Sequence, residues 1–117
     1  MNTRLLGAKG EYFASRYLRD KGYDILSGNF VGGTGEIDIV ATDNNFICFV
    51  EVKTRTRGTM FAPAEAVDRR KQENIRSAAA VYMKGFPAGV RMRYDIIEVL
   101  VDENAQLLEI NHIKNAF

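Results

Sequence analysis

The feature that most constrains this chain is the way its hydrophobic period changes from end to end. Apolar residues first recur at helical spacing: Leu6, Phe13, Ala14, Tyr17 and Leu18 form one stripe between a cap at Thr3 and a stop at Gly22. The period then shortens to that of strands. Tyr23-Asp24-Ile25-Leu26 reads as a short strand, Gly28, Gly32, Gly33 and Gly35 as an irregular loop, and residues 36–41 as a second strand. Thr42-Asp43-Asn44-Asn45 is a turn, and residues 46–54 are a longer strand rich in β-branched and aromatic side chains. Helical spacing returns with Pro63 as a first-turn proline, Val67, Ile75, Ala78, Ala79 and Tyr82 as the apolar side, and Gly85 and Pro87 as the stop after Lys84. Two strands, 92–101 and 107–113, close the chain around the polar turn Asp102-Glu103-Asn104.

The order α-β-β-β-α-β-β predicts an α/β domain. Strands that can pair through hairpins, followed by a crossover helix, require a mixed sheet with helices packed on it. A length of 117 residues suits a single domain, 1–117, and the content of 46% hydrophobic and 26% charged residues is that of a globular protein. The net charge of +1 gives no bulk attraction to nucleic acid, so any phosphate affinity must come from local clusters of Lys and Arg. Cys48 is the sole cysteine and lies in an apolar run, which excludes an intrachain disulfide and predicts a buried thiol. No apolar run reaches the length of a secretion signal or a membrane span, so a reduced, cytoplasmic protein without a membrane partner is expected.

Strand alternation puts Glu51 and Lys53 on one face and Val50 and Val52 on the other. If Asn44-Asn45 is the hairpin turn, counting back sets Asp38 opposite Glu51 and Glu36 opposite Lys53. Two carboxylates facing across a ladder repel each other, and a divalent cation such as Mg²⁺ offsets that repulsion. An acid pair, a metal and a lysine together suit attack of water on a phosphodiester. The same residues also suit a solvated sheet face with Glu36–Lys53 as a cross-strand ion pair. Spacing leaves both open.

Three further features bear on chemistry. Glu11 borders the first apolar stripe beside Gly7, Gly10 and Ala14, so this helix end either packs closely on the sheet or approaches a ligand. Lys71 interrupts the second stripe, where it either snorkels to water or reaches a phosphate or carboxylate near the sheet. Basic residues cluster as Lys53, Arg55 and Arg57, as Arg69, Arg70, Lys71 and Arg76, and as Arg91 and Arg93. The segment Gly32-Gly33-Thr34-Gly35 has no following helix and no Gly-Lys-Ser/Thr end, which argues against a phosphate loop. His112, the sole histidine, is expected to have a structural role.

Gly7-x-x-Gly10-Glu11, Gly35-Glu36-Ile37-Asp38, Phe49-Val50-Glu51-Val52-Lys53-Thr54-Arg55, Arg93-Tyr94-Asp95 and the ending Asn111–Phe117 occur in one order and spacing. Together they closely resemble the bacterial YraN-type family, akin to archaeal Holliday-junction resolvases. The resemblance implies a restriction-endonuclease-like fold and a PD-(D/E)xK-type site. In that pattern Asp38 is the first acid, Glu51 and Lys53 the second acid and lysine, and Glu11 the helical glutamate. It therefore implies Asp38, Glu51 and Glu11 as ligands of Mg²⁺ or Mn²⁺, and Lys71 as an auxiliary polar residue. Arg55, Arg57, Arg70, Lys71 and Arg93 are the expected nucleic-acid contacts, with DNA, including branched DNA, as partner and a homodimer as assembly. The segment Phe30–Thr34 carries no basic residue, and the motif's proline is absent. A nucleic-acid-binding or scaffold protein that keeps the fold without efficient cleavage is the alternative.

Overall fold

Chain order becomes sheet order. In the computed structural model, which describes residues 3–59 and 67–117, one sheet runs β1-β2-β3-β4-β5. Its strands are β1 (Asp24–Gly32), β2 (Gly35–Thr42), β3 (Ile47–Thr56), β4 (Met92–Val101) and β5 (Leu107–Ile113), with helices α1 (Thr3–Asp20) and α2 (Arg69–Met83). β3 and β4 are parallel and the other pairs antiparallel, because only the β3–β4 connection crosses over through a helix. The α-β-β-β-α-β-β order and the mixed sheet are as expected.

Each helix end has an identifiable cause. α1 stops where Gly22 turns left-handed at φ 92°; the Gly22 N–H donates to the Arg19 carbonyl and the Tyr23 N–H to the Leu18 carbonyl. α2 starts at Asp68, whose carboxylate accepts from the Lys71 N–H at 2.9 Å. The cap at Asp68 means that Pro63 does not open α2, and Pro63 itself lies outside the described residues.

Alternation on β3 separates two cores. Cys48 and Val50 join Ala14 and Leu18 of α1 with Ile97, Val99 and Val101 of β4. Ile47 and Phe49 instead join Ile75, Ala78 and Ala79 of α2. The helices therefore cover opposite faces, and β3 is buried on both sides along its first half. Cys48 is fully buried, and burial pushes its thiol up to about 12.

The glycine-rich stretch is not an irregular loop. It forms the far half of β1 and a tight hairpin into β2, with Gly32 paired to Gly35 and Gly33 at φ 55°. This hairpin lies directly against α2. A Cβ on Gly35 would sit 2.5 Å from the Asn74 carbonyl oxygen, so no larger residue fits there. Thr34 completes the docking: its N–H donates to Ser77 Oγ at 3.0 Å and its hydroxyl to Asn74 Oδ1 at 3.0 Å. The glycines mark a close approach of two backbones.

Gly10 has the same kind of role on the other face, where a Cβ would lie 2.8 Å from Thr54 Cβ of β3. Gly10→Ala should therefore destabilise the fold by about 1–3 kcal/mol through overpacking. Thermal unfolding is expected to show a lower Tm for Gly10→Ala and partial recovery in the double variant with Thr54→Ala. Equal Tm values for wild type and Gly10→Ala would remove this account of α1 docking.

Candidate functional site

β2 and β3 pair in the register expected from the turn, from Thr42↔Ile47 to Ile39↔Val50. The turn is held by Asp43 Oδ1, which accepts from the N–H groups of Asn45 and Phe46, and Asn44 takes a positive φ of 77°. The ladder then ends. At the next position Asp38 Oδ2 accepts the Val52 N–H at 2.8 Å, so a side chain takes the place of a strand partner. Continuing the count still aligns Asp38 with Glu51. The expected Glu36–Lys53 cross-strand pair does not form, because the strands have parted; Glu36 pairs with Val31 of β1.

The parting opens a cavity of about 290 Å³. Glu11 reaches it from α1, Asp38 from β2, Glu51 and Lys53 from β3, and Lys71 from α2. All four residues of the expected motif, with Lys71, thus line one space. Gly7 also borders it and meets no atom within 4 Å of a would-be Cβ.

Charge in this cavity is poorly compensated. Glu51 is only 5% exposed, and it forms an ion pair with Lys71, whose Nζ lies 3.0 Å from Oε2. That approach is too oblique for a hydrogen bond, so Oε2 keeps accepting capacity. Burial, and next the adjoining Glu51 carboxyl, push Asp38 up to about 8, although the Val52 N–H pulls the other way. Glu11 is also raised, by burial first; a hydrogen bond with Asn29 opposes this, and Glu36 and Glu51 add to it. Burial works against the Lys71 ammonium, but the adjoining Glu51 carboxylate, with Asp38 and Glu36 farther off, holds its pKa above the usual value.

Fit to a cation can be judged from this donor set. Asp38 and Glu51 offer carboxylate oxygens only, beside an acceptor with spare capacity, which suits a hard divalent ion. Among the described residues no three His, Cys, Asp or Glu side chains converge as a ready-made cage. Glu11 stands on the cavity wall and the two sheet carboxylates form the closer pair.

The expected nucleic-acid contacts divide. Arg70 is exposed on the first turn of α2, Arg55 is half-buried on β3, and Lys71 is half-exposed at the cavity. Arg57 is exposed and forms a two-pronged ion pair with Glu103 at 2.9 and 3.2 Å. Arg93 corrects the expectation: it is 7% exposed, on the α1 face of β4, and its donors are taken. Nε donates to Asp95 Oδ1 at 3.0 Å, one terminal nitrogen to Asp43 at 3.1 Å, and the other to Asp95 and the Tyr23 hydroxyl. His112 Nε2 meets Asp95 Oδ2 at 2.8 Å, and its Nδ1 meets the Tyr17 hydroxyl at 3.2 Å, a structural role as expected. Burial alone would raise Asp95, yet hydrogen bonds from His112, Arg93 and the Asn115 N–H hold it below the ordinary carboxylate range.

This second cluster was not anticipated. Its one sequence signal was an Arg and an Asp two apart on a strand, hence on one face. Asn29, which shares a cavity with Glu11 from β1, gave less: it lay in the stretch expected as loop.

Two outcomes follow. Arg93→Met strands a fully buried Asp95 carboxylate and should cost about 3–5 kcal/mol in urea unfolding; a change under 1 kcal/mol would show that the network is not structural. Asp38, raised from 3.8 to about 8, keeps a proton in the folded chain that the unfolded chain releases. Wild-type stability in EDTA should therefore fall as pH rises from about 4 to about 8, relative to Asp38→Asn. Parallel pH profiles for the two chains would contradict that burial.

Comparisons with known proteins agree on one family. The model for the family described as uncharacterised protein family UPF0102 matches residues 10–99. A UPF0102 protein of Caldanaerobacter subterraneus subsp. tengcongensis is 45% identical over 119 residues, spanning 100% of this chain and 98% of that one. A UPF0102 protein of Alkaliphilus oremlandii is 44% identical over 120 residues and all of both chains. One of Porphyromonas gingivalis is 40% identical over 111 residues, 95% of this chain and 82% of its own.

Proposed function

The chain belongs to the UPF0102 family, and from the cavity where its sheet parts we propose that it is a metal-dependent DNA endonuclease. The observation that carries this is the pairing of half-buried Asp38 with buried Glu51, each disfavouring ionisation of the other, with one oxygen of Glu51 left without a hydrogen-bond partner. Mg²⁺ or Mn²⁺ is the proposed cofactor; bound by Asp38 and Glu51, with Glu11 beside them, it supplies charge neutralisation and a more acidic water. The expected kinship with junction resolvases and their restriction-endonuclease-like fold belongs to this proposal, and branched DNA is the proposed substrate class.

The chain's own residues then have separable tasks. Lys53, which lines the cavity from β3, is assigned to orient the attacking water and stabilise the developing charge. Lys71 holds Glu51 and, being 42% exposed, can turn its ammonium toward a substrate phosphate. Arg55 and Arg70 extend the positive rim along β3 and α2. The reaction forms one bond from the water oxygen to phosphorus and breaks one ester P–O bond. The leaving oxygen takes up a proton, and the products are a phosphomonoester and a free hydroxyl. A second copy of the chain is proposed as partner, with edge strand β5 and its exposed Leu107, Leu108 and Ile113 as the surface available to it.

A second reading, a nucleic-acid-binding protein without efficient cleavage, is favoured by the absence of a converged three-ligand cage among the described residues. One experiment separates them: labelled duplex, flap and four-way-junction DNA incubated with Mg²⁺ or Mn²⁺. The nuclease reading expects cleavage by wild type and a loss of about a hundredfold or more in Asp38→Asn and Glu51→Gln. Intact DNA throughout, with binding unchanged in both variants, would overturn it in favour of the binding protein.

A further inference from the structure

Glu11 and Asp38 form a wall with two sides. One side faces the cavity described above. The other closes a second cavity of about 320 Å³ between α1 and β1, lined by Ala8, Tyr12, Ser15 and Arg19 on the helix and by Asn29 on the strand. The helical contributors recur at steps of four, three and four, so they make one stripe along α1, about 16 Å long. The groove therefore leads away from the carboxylates along the helix.

Its lining differs from that of a core. Tyr12 is 55% exposed, while its neighbour Phe13 packs against the α1-side core. Arg19 is exposed near the far end. Asn29 adopts φ 52° within β1, whereas the other non-glycine positive-φ residues, Asn44, Ala105 and Asn115, lie outside the strands. Such a conformation costs on the order of 1 kcal/mol and persists where surrounding structure enforces it. Here Asn29 lines the cavity together with Glu11, which borders both cavities.

An exposed aromatic face, an amide with donor and acceptor, and a guanidinium along one groove match a base and a phosphate. A base within a duplex is stacked on both sides and offers Tyr12 no free ring; an unpaired one does. Resting on the nuclease reading above, we propose that the α1–β1 cavity is a subsite for an unpaired nucleotide of the substrate strand. Tyr12 stacks on its base, Asn29 faces the base edge, and Arg19 holds a flanking phosphate. The strand then crosses the Glu11–Asp38 wall, with its scissile phosphate on the Lys53 side. Selection for branched or single-stranded DNA over blunt duplex follows from this path.

The test measures binding in Ca²⁺ buffer by fluorescence anisotropy. The probes are fluorescein-labelled single-stranded DNA, a blunt duplex and a flapped duplex. Tyr12→Ala should weaken single-strand and flap binding by about fivefold to a hundredfold, the range spanned by base–aromatic stacking, and weaken blunt-duplex binding less. Tyr12→Phe should restore it, and Arg19→Gln should reduce the salt dependence of flap binding. Unchanged flap affinity in Tyr12→Ala, or an equal loss on blunt duplex, overturns the subsite. Mn²⁺ uptake by calorimetry, compared between wild type and Asp38→Asn, reports on the parent reading separately. If wild type takes up Mn²⁺ and binds DNA while Tyr12→Ala changes nothing, the subsite alone falls; if wild type does neither, both fall.

Discussion

The hydrogen bond from the Val52 N–H to the Asp38 carboxylate is the contact on which the arrangement of this protein turns. β2 and β3 must part somewhere, and each parted strand leaves backbone groups that need partners. A carboxylate that supplies one of them caps the ladder and anchors itself inside the opening. α1 and α2 pack on opposite faces of the sheet and would otherwise be kept apart by it. Through the opening Glu11 and Lys71 line one cavity with Asp38, Glu51 and Lys53. The hairpin of β1 and β2 is held on α2 by Thr34 and its flanking glycines, which fixes the strand that has moved away.

Two acidic groups in the same sheet, Asp95 fully buried and Asp38 half-buried, meet opposite electrostatic fates. Asp95 is enclosed by Arg93, His112 and the Asn115 N–H, all able to donate, and its charge is stabilised. Asp38 faces another carboxylate and one backbone N–H, and its neutral form is stabilised instead. The first cluster ties β4, β5, the β2–β3 turn and the start of β1 together. The second leaves an oxygen of Glu51 without a hydrogen-bond partner. A carboxyl pair that disfavours its own ionisation, where β2 and β3 part, distinguishes a candidate site from a structural network.

Much of the fold was legible because its signals are local. β4 and β5 keep the bounds read from alternation, and the apolar stripe of α1 buries Ala14 and Leu18 as its spacing requires. The β2–β3 register followed from the turn residues and side-chain parity. The hairpin at Gly33 was missed, since Gly32, Gly33 and Gly35 owe their identity to α2, about 40 positions on, and clearance from a distant helix leaves no local trace. The start of α2 was misjudged because a proline and an aspartate both announce helices, and only the Asp68 geometry selects between them. Arg93 read as a surface cation; its burial depends on Asp43 and Tyr23, which reach it from two other parts of the chain, and on Asp95, which His112 holds from β5.

The sequence by itself determined the order of elements, the parity that puts Asp38, Glu51 and Lys53 on chosen faces, and membership of one family. These are matters of period and local pattern, which a linear chain expresses directly. Tertiary structure decided where the strands part, that Lys71 meets Glu51 and that Arg93 does not meet solvent. It also placed Glu11 between two cavities. Each of these depends on the distance between residues far apart in the chain, and such distances are set by packing around both faces of the sheet. The period of hydrophobicity carries no record of them.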